Sequence, residues 1–126
     1  MKRTFLTICV TTLVLGCGGS PEPLTAHGKP VAYWLAELKQ PDAKSRKKAV
    51  TALGHVATAD PAAIPALISA VKDRDAGVRN QAVAALLNIG PAAKDAVPAL
   101  TEAQSDGDAE VRALAAKALT RIQGSS

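Results

Sequence analysis

The sequence predicts an all-α protein, specifically an α-solenoid of about three helical hairpins. Three observations lead to this fold class. Apolar residues make up 48% of the 126 residues but aromatic residues only 2%, and a chain rich in Ala, Leu, Val and Ile suits closely packed helices better than sheets. The sequence also repeats itself at a fixed interval, the one that separates Asp42 from Asp75 and Asp75 from Asp108. Finally, each repeat contains two segments whose apolar residues recur at helical spacing.

The repeat is found by comparing the sequence with itself at an offset of 33. Four of the recurring positions are Asp42, Asp75 and Asp108; Arg46, Arg79 and Arg112; Leu53, Leu86 and Leu119; and Val56, Ile89 and Ile122. They define units at about 29–57, 58–90 and 91–124, so that the repeat domain extends over 29–124. Stacked units of this size bury a shared core against their neighbours, as in a solenoid.

Each unit is predicted to be a helical hairpin with its own start signals. In the second unit, the apolar stripes of the two helices are Ile64, Leu67, Ile68 and Val71, then Val78, Ala82, Leu86 and Ile89. Pro65 and Pro98 fall in the first turn of the leading helices, where a missing N–H is tolerated. Asp75 and Asp108 precede the second helices, where a carboxylate can accept hydrogen bonds from free backbone N–H groups.

The motifs of the last two units indicate the type of repeat. They read Ala-Ile-Pro-Ala-Leu at 63–67 with Asp-Ala-Gly-Val-Arg at 75–79, and Ala-Val-Pro-Ala-Leu at 96–100 with Asp-Ala-Glu-Val-Arg at 108–112. These motifs resemble the short bacterial HEAT repeats, including those of the phycobilisome-lyase-like group. The signatures of ankyrin and tetratricopeptide units, which have nearly the same length, are not found.

The first unit departs from this pattern in a way that suits an end unit, which exposes a face that inner units bury. Ser45 stands at the position of Val78, and Tyr33 and Trp34 replace Ala66 and Leu67. We expect Trp34 in the core or in an end cap; the alternative is an anchor for recognition.

The N-terminus predicts export and lipid anchoring. Lys2 and Arg3 precede an apolar run over 4–15 that is too short for a permanent membrane span. The run ends in Val-Leu-Gly-Cys at 14–17, which resembles the lipobox of bacterial lipoproteins. The resemblance implies a signal peptide at 1–16 and acylation of Cys17, which would give stable membrane anchoring. An ordinary secretory signal is the alternative.

The segment after this cysteine is predicted to be a flexible tether over 17–28, because it is rich in Gly and Pro and has no helical period. In Gram-negative lipoproteins an Asp directly after the cysteine is the usual signal for retention in the inner membrane. Gly18 stands there instead, which weakly favours the outer membrane. The predicted location is therefore the cell envelope, facing the periplasm or the exterior.

Composition and motifs speak against several function classes. Without Lys2 and Arg3, 13 basic residues stand against 11 acidic ones, too mild an excess to imply nucleic acid. His27 and His55 have no Cys or carboxylate at ligand spacing, so we expect no metal site. The sequence contains no Ser/His/Asp arrangement and no phosphate-binding Gly loop, so we expect neither a cofactor nor an enzyme.

Two sets of residues are candidates for structural and binding roles. The resemblance to HEAT repeats implies a structural ladder that links neighbouring units through charge-assisted bonds, formed by Asp42, Arg46, Asp75, Arg79, Asp108 and Arg112. It also implies that the second helices line a concave face. The positions off the core stripe there are Lys47, Thr51, His55, Asn80, Ala84, Asn88, Ala113, Lys117 and Arg121. This row could accept an extended acidic or polar peptide; the alternative is a solvated face.

The sequence thus predicts a lipid-anchored envelope scaffold that binds another protein. Two alternatives from other classes stay open: a HEAT-based protein-modifying enzyme of the phycobilisome-lyase-like type, and a structural spacer without a specific ligand. Three units lie at the lower limit for a stable stack, so self-association through the solenoid ends is a further expectation.

Overall fold

The computed structural model describes residues 25–124. The predicted signal peptide, Cys17 and the tether up to residue 24 lie outside these residues. The described part contains six α-helices: α1 (Val31–Glu37), α2 (Ala43–Val56), α3 (Ala63–Ala70), α4 (Ala76–Ile89), α5 (Val97–Ala103) and α6 (Ala109–Gln123). Their pairs, α1 with α2, α3 with α4, and α5 with α6, are three consecutive hairpins, which confirms the predicted all-α fold.

The helices form two layers. In one layer α4 lies between α2 and α6 and packs on both; in the other, α1, α3 and α5 each pack on the second helix of their own hairpin. A 3₁₀ segment, Gly90–Ala96, joins the second hairpin to the third and packs against α4 and α6. Each hairpin therefore buries its apolar faces against its partner helix and its neighbours, as the repeat predicts.

The core contains the residues that recur in the repeat. Leu53 and Leu86 are fully buried on the second helices, and Leu67 and Leu100 are fully buried on the first helices. Small residues at equivalent positions of the second helices are also fully buried, namely Ala49, Ala82 and Ala115. Alanine at these positions lets the helices approach closely, because a larger side chain would hold their backbones apart.

The second helices begin at aspartate caps, as predicted for Asp75 and Asp108. The backbone N–H of Val78 donates to Oδ1 of Asp75 at 3.0 Å, and that of Val111 donates to Oδ1 of Asp108 at 3.1 Å. Asp42 plays the same role in the first hairpin, where Oδ2 accepts the N–H of Ser45 at 2.9 Å. These bonds satisfy N–H groups that have no partner within the helix.

The last residues of the predicted tether are ordered into a β-hairpin, which corrects the expectation of a tether up to residue 28. Strand β1 (Thr25–Ala26) pairs antiparallel with β2 (Lys29–Pro30), and the two residues of the turn both have positive φ, 51° for His27 and 76° for Gly28. This is the geometry of a tight two-residue hairpin, which His-Gly can adopt. The hairpin packs on α2 and belongs to the folded domain.

Candidate functional site

Neighbouring hairpins are linked by two ion pairs with the same geometry. Arg46 of the first hairpin donates from Nε and Nη2 to the carboxylate of Asp73 at 2.8 and 3.0 Å. Arg79 of the second hairpin donates from the same two atoms to Asp106, at the same two distances. The side chain of Arg46 is only 6% exposed and that of Asp106 only 11%, so both pairs are largely removed from water. Arg46 and Arg79 therefore each link two neighbouring units through a charge-assisted, two-point contact.

The aspartates of these pairs are not the ones expected. Asp42, Asp75 and Asp108 cap their own helices, and the carboxylates that join the units are Asp73 and Asp106. The sequence carries a signal for them, because Asp73 and Asp106 also align at the offset of the repeat. That signal is weaker than the signal of the caps, since the equivalent position of the first unit is a glutamine.

Each arginine of the ladder also holds the loop of its own hairpin. Nη1 of Arg46 donates to the carbonyl oxygens of Gln40 and Pro41, and Nη1 of Arg79 donates to that of Asp73 at 2.8 Å. Arg112 makes the equivalent bonds to the carbonyls of Asp106 and Gly107, at 2.7 and 3.2 Å. No carboxylate of the described residues forms an ion pair with Arg112, which lies on the last hairpin and is exposed.

The ion pairs change the acid–base behaviour of their carboxylates. Burial acts to raise the pKa of Asp73, but the hydrogen bonds from Arg46 and from the backbone N–H of Asp75 outweigh it, so the pKa lies below its ordinary value. The pKa of Asp106 is lowered in the same way against burial, by Arg79 and the N–H of Asp108. Both carboxylates are therefore ionised at neutral pH.

The predicted binding row is only partly gathered into one cavity. Four of its nine residues line a small cavity of about 120 Å³ between α2 and α4, namely Thr51, His55, Ala84 and Asn88. At the bottom of this cavity Gly54 of α2 lies against Ala85 of α4. The two helices are close here, because a Cβ on the glycine would lie 3.0 Å from the alanine Cβ. We call this cavity the α2–α4 groove.

The other five residues of the row do not line this groove. Asn80 is half-buried, and the following four are exposed: Lys47, Ala113, Lys117 and Arg121. The Nζ atom of Lys47 lies over Gly77, 2.9 Å from where a Cβ would be, and Nε of Arg121 lies over Gly90 at 3.2 Å. Leu114 of α6 is the equivalent of Gln81 in the repeat. Gln81 lines the groove, whereas Leu114 packs against the core. The third hairpin thus has an apolar residue where the second has the glutamine that lines the groove.

The end faces of the stack are more polar than its inner interfaces. On the face of the second hairpin towards the third, Val71 and Val83 are buried; the equivalent residues of the third hairpin, Gln104 and Ala116, are exposed. On the opposite face of the second hairpin, Ala70 and Val78 are buried, and their equivalents in the first hairpin are Glu37 and Ser45. Both changes reduce the apolar area that would be left in water.

Two kinds of feature are absent from the described residues. Within residues 25–124, no helix is long and apolar enough to cross a membrane. Over the same residues, no group of three or more His, Cys, Asp or Glu side chains is placed to hold a metal ion. His27 and His55 do meet, however, with Nε2 of the first 3.2 Å from Nδ1 of the second. The sequence did not predict this contact because it placed His27 in the tether.

Comparison with protein families identifies the repeat. The family model for HEAT repeats matches residues 31–120, from the start of α1 almost to the end of α6. The chain belongs to the HEAT-repeat family. No curated protein matches the chain in the corresponding comparison.

Several solved structures are similar in fold to this chain. The complex of CpcE and CpcF of phycocyanin lyase from Nostoc sp. aligns with a TM-score of 0.65 and 29% identity, over 83% of this chain and 42% of that chain. An engineered protein aligns with a TM-score of 0.63 and 26% identity, over 75% and 45% of the two chains. A second engineered protein aligns with a TM-score of 0.58 and 24% identity, over 73% and 46%, and shows likeness of fold alone. The chain spans less than half the length of each.

HEAT repeats suggest a scaffold for protein interaction, and a protein complex among the similar structures agrees with this. The fold positions such a surface through rigid helices rather than loops, because each second helix is capped and packs on a neighbouring second helix, and two ion pairs join the three hairpins. The α2–α4 groove is the part of the predicted row where side chains of two hairpins converge.

Proposed function

We propose that the chain is a lipid-anchored envelope protein whose HEAT domain binds an extended acidic or polar segment of another protein. The α2–α4 groove is the main support for the binding role. Its lining includes the hydrogen-bonding side chains of Thr51, His55 and Asn88. The predicted row also carries exposed cations, among them Lys47 on α2 and Lys117 on α6. An extended acidic peptide suits a groove of this kind, since opposite charges favour its approach and its register.

The binding role is tested by blocking the groove. Ala84→Glu puts a carboxylate on the half-buried centre of the row, where it would repel an acidic peptide and fill the space above Gly54. The matched control is Ala92→Glu, which makes the same change on the exposed 3₁₀ segment. We expect peptides of consecutive glutamates to bind the wild-type chain and the control but not Ala84→Glu. Equal binding by all three would refute a role for the groove.

The anchoring role rests on the sequence around Cys17 and has a test of its own. Cells that express the chain are labelled with radioactive palmitate, and the chain is then isolated. We expect label in the wild type and none in Cys17→Ser, since acylation requires the thiol. A wild-type chain without label would contradict the anchor and, with it, the envelope location; the peptide-binding role would be unaffected.

The proposed function is binding without catalysis. The alternative, a HEAT-based protein-modifying enzyme, is favoured by the likeness to the CpcE and CpcF complex of phycocyanin lyase. The likeness covers less than half of that chain and extends over the repeat scaffold. If the alternative holds, incubation with a bound partner leaves a covalent change of mass on that partner, which mass spectrometry detects.

A further inference from the structure

The N-terminal β-hairpin covers one end of the α2 surface. Ala26 of β1 is 3% exposed, and its carbonyl oxygen accepts a hydrogen bond from Nε1 of Trp34 at 2.8 Å. The His27 ring at the turn lies edge-on to Trp34, with centroids 6.2 Å apart, and contacts His55 on α2. The hairpin therefore lies on the side of α2 where, in the later units, the preceding hairpin packs.

A pocket remains between this hairpin, α1 and α2. It holds about 340 Å³ and is lined by His27, Lys29, Tyr33, Trp34, Lys48 and Thr51. We call it the aromatic pocket. Its walls are largely aromatic: Tyr33 and Trp34 meet edge to face at 5.0 Å, and Tyr33 is an exposed large apolar residue, 41% accessible.

The charge of the aromatic pocket has a single sign. Its lining includes the ammonium groups of Lys29 and Lys48 and contains no carboxylate. The Nζ atom of Lys29 lies 5.2 Å from the centre of the Tyr33 ring, which holds this cation at the mouth through a cation–π contact. An apolar cavity with cations at its edge fits a ligand with an apolar body and negative charge beside it.

The aromatic pocket and the α2–α4 groove occupy equivalent places, one repeat apart. Lys48 and Thr51 of the pocket align at the offset of the repeat with Gln81 and Ala84 of the groove. The two cavities adjoin, because Thr51 lines both and His55 of the groove contacts His27 of the pocket. A single extended chain can therefore lie along the groove and enter the pocket.

We propose that the aromatic pocket is an anchor site for an acidic peptide, in which it takes one apolar side chain flanked by carboxylates. This inference rests on the proposed function, since it names the segment that the groove binds. The pocket volume is at the lower end of the range for ligand sites, about 300–1,000 Å³, which suits one or two side chains. Lys29 and Lys48 then contact the flanking carboxylates, and Tyr33 covers the apolar side chain.

Binding in the pocket can be followed by tryptophan fluorescence, because Trp34 is the single tryptophan of the chain and lines the pocket. The probe is a synthetic peptide of one leucine with two glutamates on each side, added to the full-length chain. Two comparison peptides replace either the leucine by glycine or the four glutamates by glutamines. We expect the leucine–glutamate peptide to change the Trp34 fluorescence saturably, and both comparison peptides to bind about tenfold more weakly.

Variants locate the site. Lys29→Glu combined with Lys48→Glu reverses two charges of the pocket and is expected to weaken the leucine–glutamate peptide about tenfold or more. Tyr33→Ala removes one wall and should abolish the preference for leucine over glycine. The matched control, Lys39→Glu combined with Lys94→Glu, reverses two exposed lysines outside the pocket and should leave the affinity unchanged.

The outcomes separate this inference from the proposed function. If the peptide binds and Ala84→Glu weakens it, but the pocket variants do not, the anchor site is wrong and the groove stands. If no acidic peptide binds the wild-type chain, the proposed function itself fails. If vesicles of anionic phosphatidylglycerol change the Trp34 fluorescence and the peptide does not, the pocket is a lipid contact and the inference is overturned.

Discussion

Arg79 holds both carboxylate oxygens of Asp106, with Nε at 2.8 Å and Nη2 at 3.0 Å, and so joins the second hairpin to the third. The same guanidinium donates from Nη1 to the carbonyl of Asp73, whose carboxylate is held by Arg46 of the first hairpin. The second link of the ladder therefore contacts the loop that carries the first link. Removal of one arginine affects two loops at once.

The ladder predicts unequal effects for equivalent arginines. We expect Arg79→Ala to lower the free energy of unfolding by about 2 kcal/mol, because it leaves a largely buried carboxylate without its partner. Arg112→Ala is the matched control: this exposed residue has the same loop contacts but no carboxylate partner among the described residues. We expect it to cost about 0.5 kcal/mol or less. Urea unfolding followed by circular dichroism measures both, and equal losses would contradict the role of the ion pair.

The lowered pKa of Asp106 predicts how stability depends on acid. In the unfolded chain this carboxyl takes up its proton near its ordinary pKa of 3.8, whereas in the folded protein it does so only at lower pH. Its stabilising contribution is therefore complete above about pH 5 and is lost as the pH falls through the folded pKa. Asp73 contributes in the same direction.

Asp106→Asn is the variant that tests this pH dependence. We expect it to be less stable than the wild type at about pH 7, and the two unfolding curves to converge as the pH falls through the lowered pKa of the folded wild type, where its carboxyl takes up a proton. Asp95→Asn makes the same change of charge on an exposed residue and serves as the control. A constant difference between Asp106→Asn and the wild type at every pH would show that the carboxylate charge is not what stabilises the link.

Much of the fold follows from the sequence because a repeat is a strong pattern. The recurrence of Leu53, Leu86 and other apolar residues at one fixed offset predicts where the helices lie. Asp75 and Asp108, as N-caps, predict where two of them begin. Contacts between hairpins are harder to predict, since they depend on which loop residue faces a neighbour. Asp73 and Asp106 were missed for this reason: they follow the first helix of their unit, and the equivalent in the first unit is Gln40.

The site shows the same division between local pattern and tertiary packing. The repeat identifies Thr51, Ala84 and their equivalents as surface positions, but it does not show that Gly54 lets α2 and α4 approach closely enough to form a groove. The β-hairpin was missed because Gly and Pro in 17–28 are equally typical of a tether. Its order depends on tertiary contacts, above all the hydrogen bond from Trp34 to Ala26.

The close approach of α2 and α4 at Gly54 is open to a direct test. Gly54→Leu would force the helices apart, because the first atom of the new side chain already lies 3.0 Å from the Cβ of Ala85. We expect a loss of about 2 kcal/mol together with loss of peptide binding in the groove. Thr120→Leu places the same side chain at the equivalent, exposed position of α6 and should change the stability by less than about 0.5 kcal/mol. Similar thermal unfolding of both variants would show that the groove is not closely packed.

The polar end faces predict that the stack does not extend by pairing with itself, contrary to the expectation from repeat number. The wild-type chain in mild detergent should keep one mass per chain over a wide range of concentrations, as analytical ultracentrifugation measures. A variant tests whether the polar residues of the end face prevent pairing. In it, four residues of the third hairpin are replaced by their apolar equivalents in the second: Thr101→Ile, Gln104→Val, Ala116→Val and Thr120→Leu. This change restores a face like the one that buries Val71 and Val83, so we expect the variant to self-associate. A wild type that pairs at the same concentrations would show that these polar residues do not close the end of the stack.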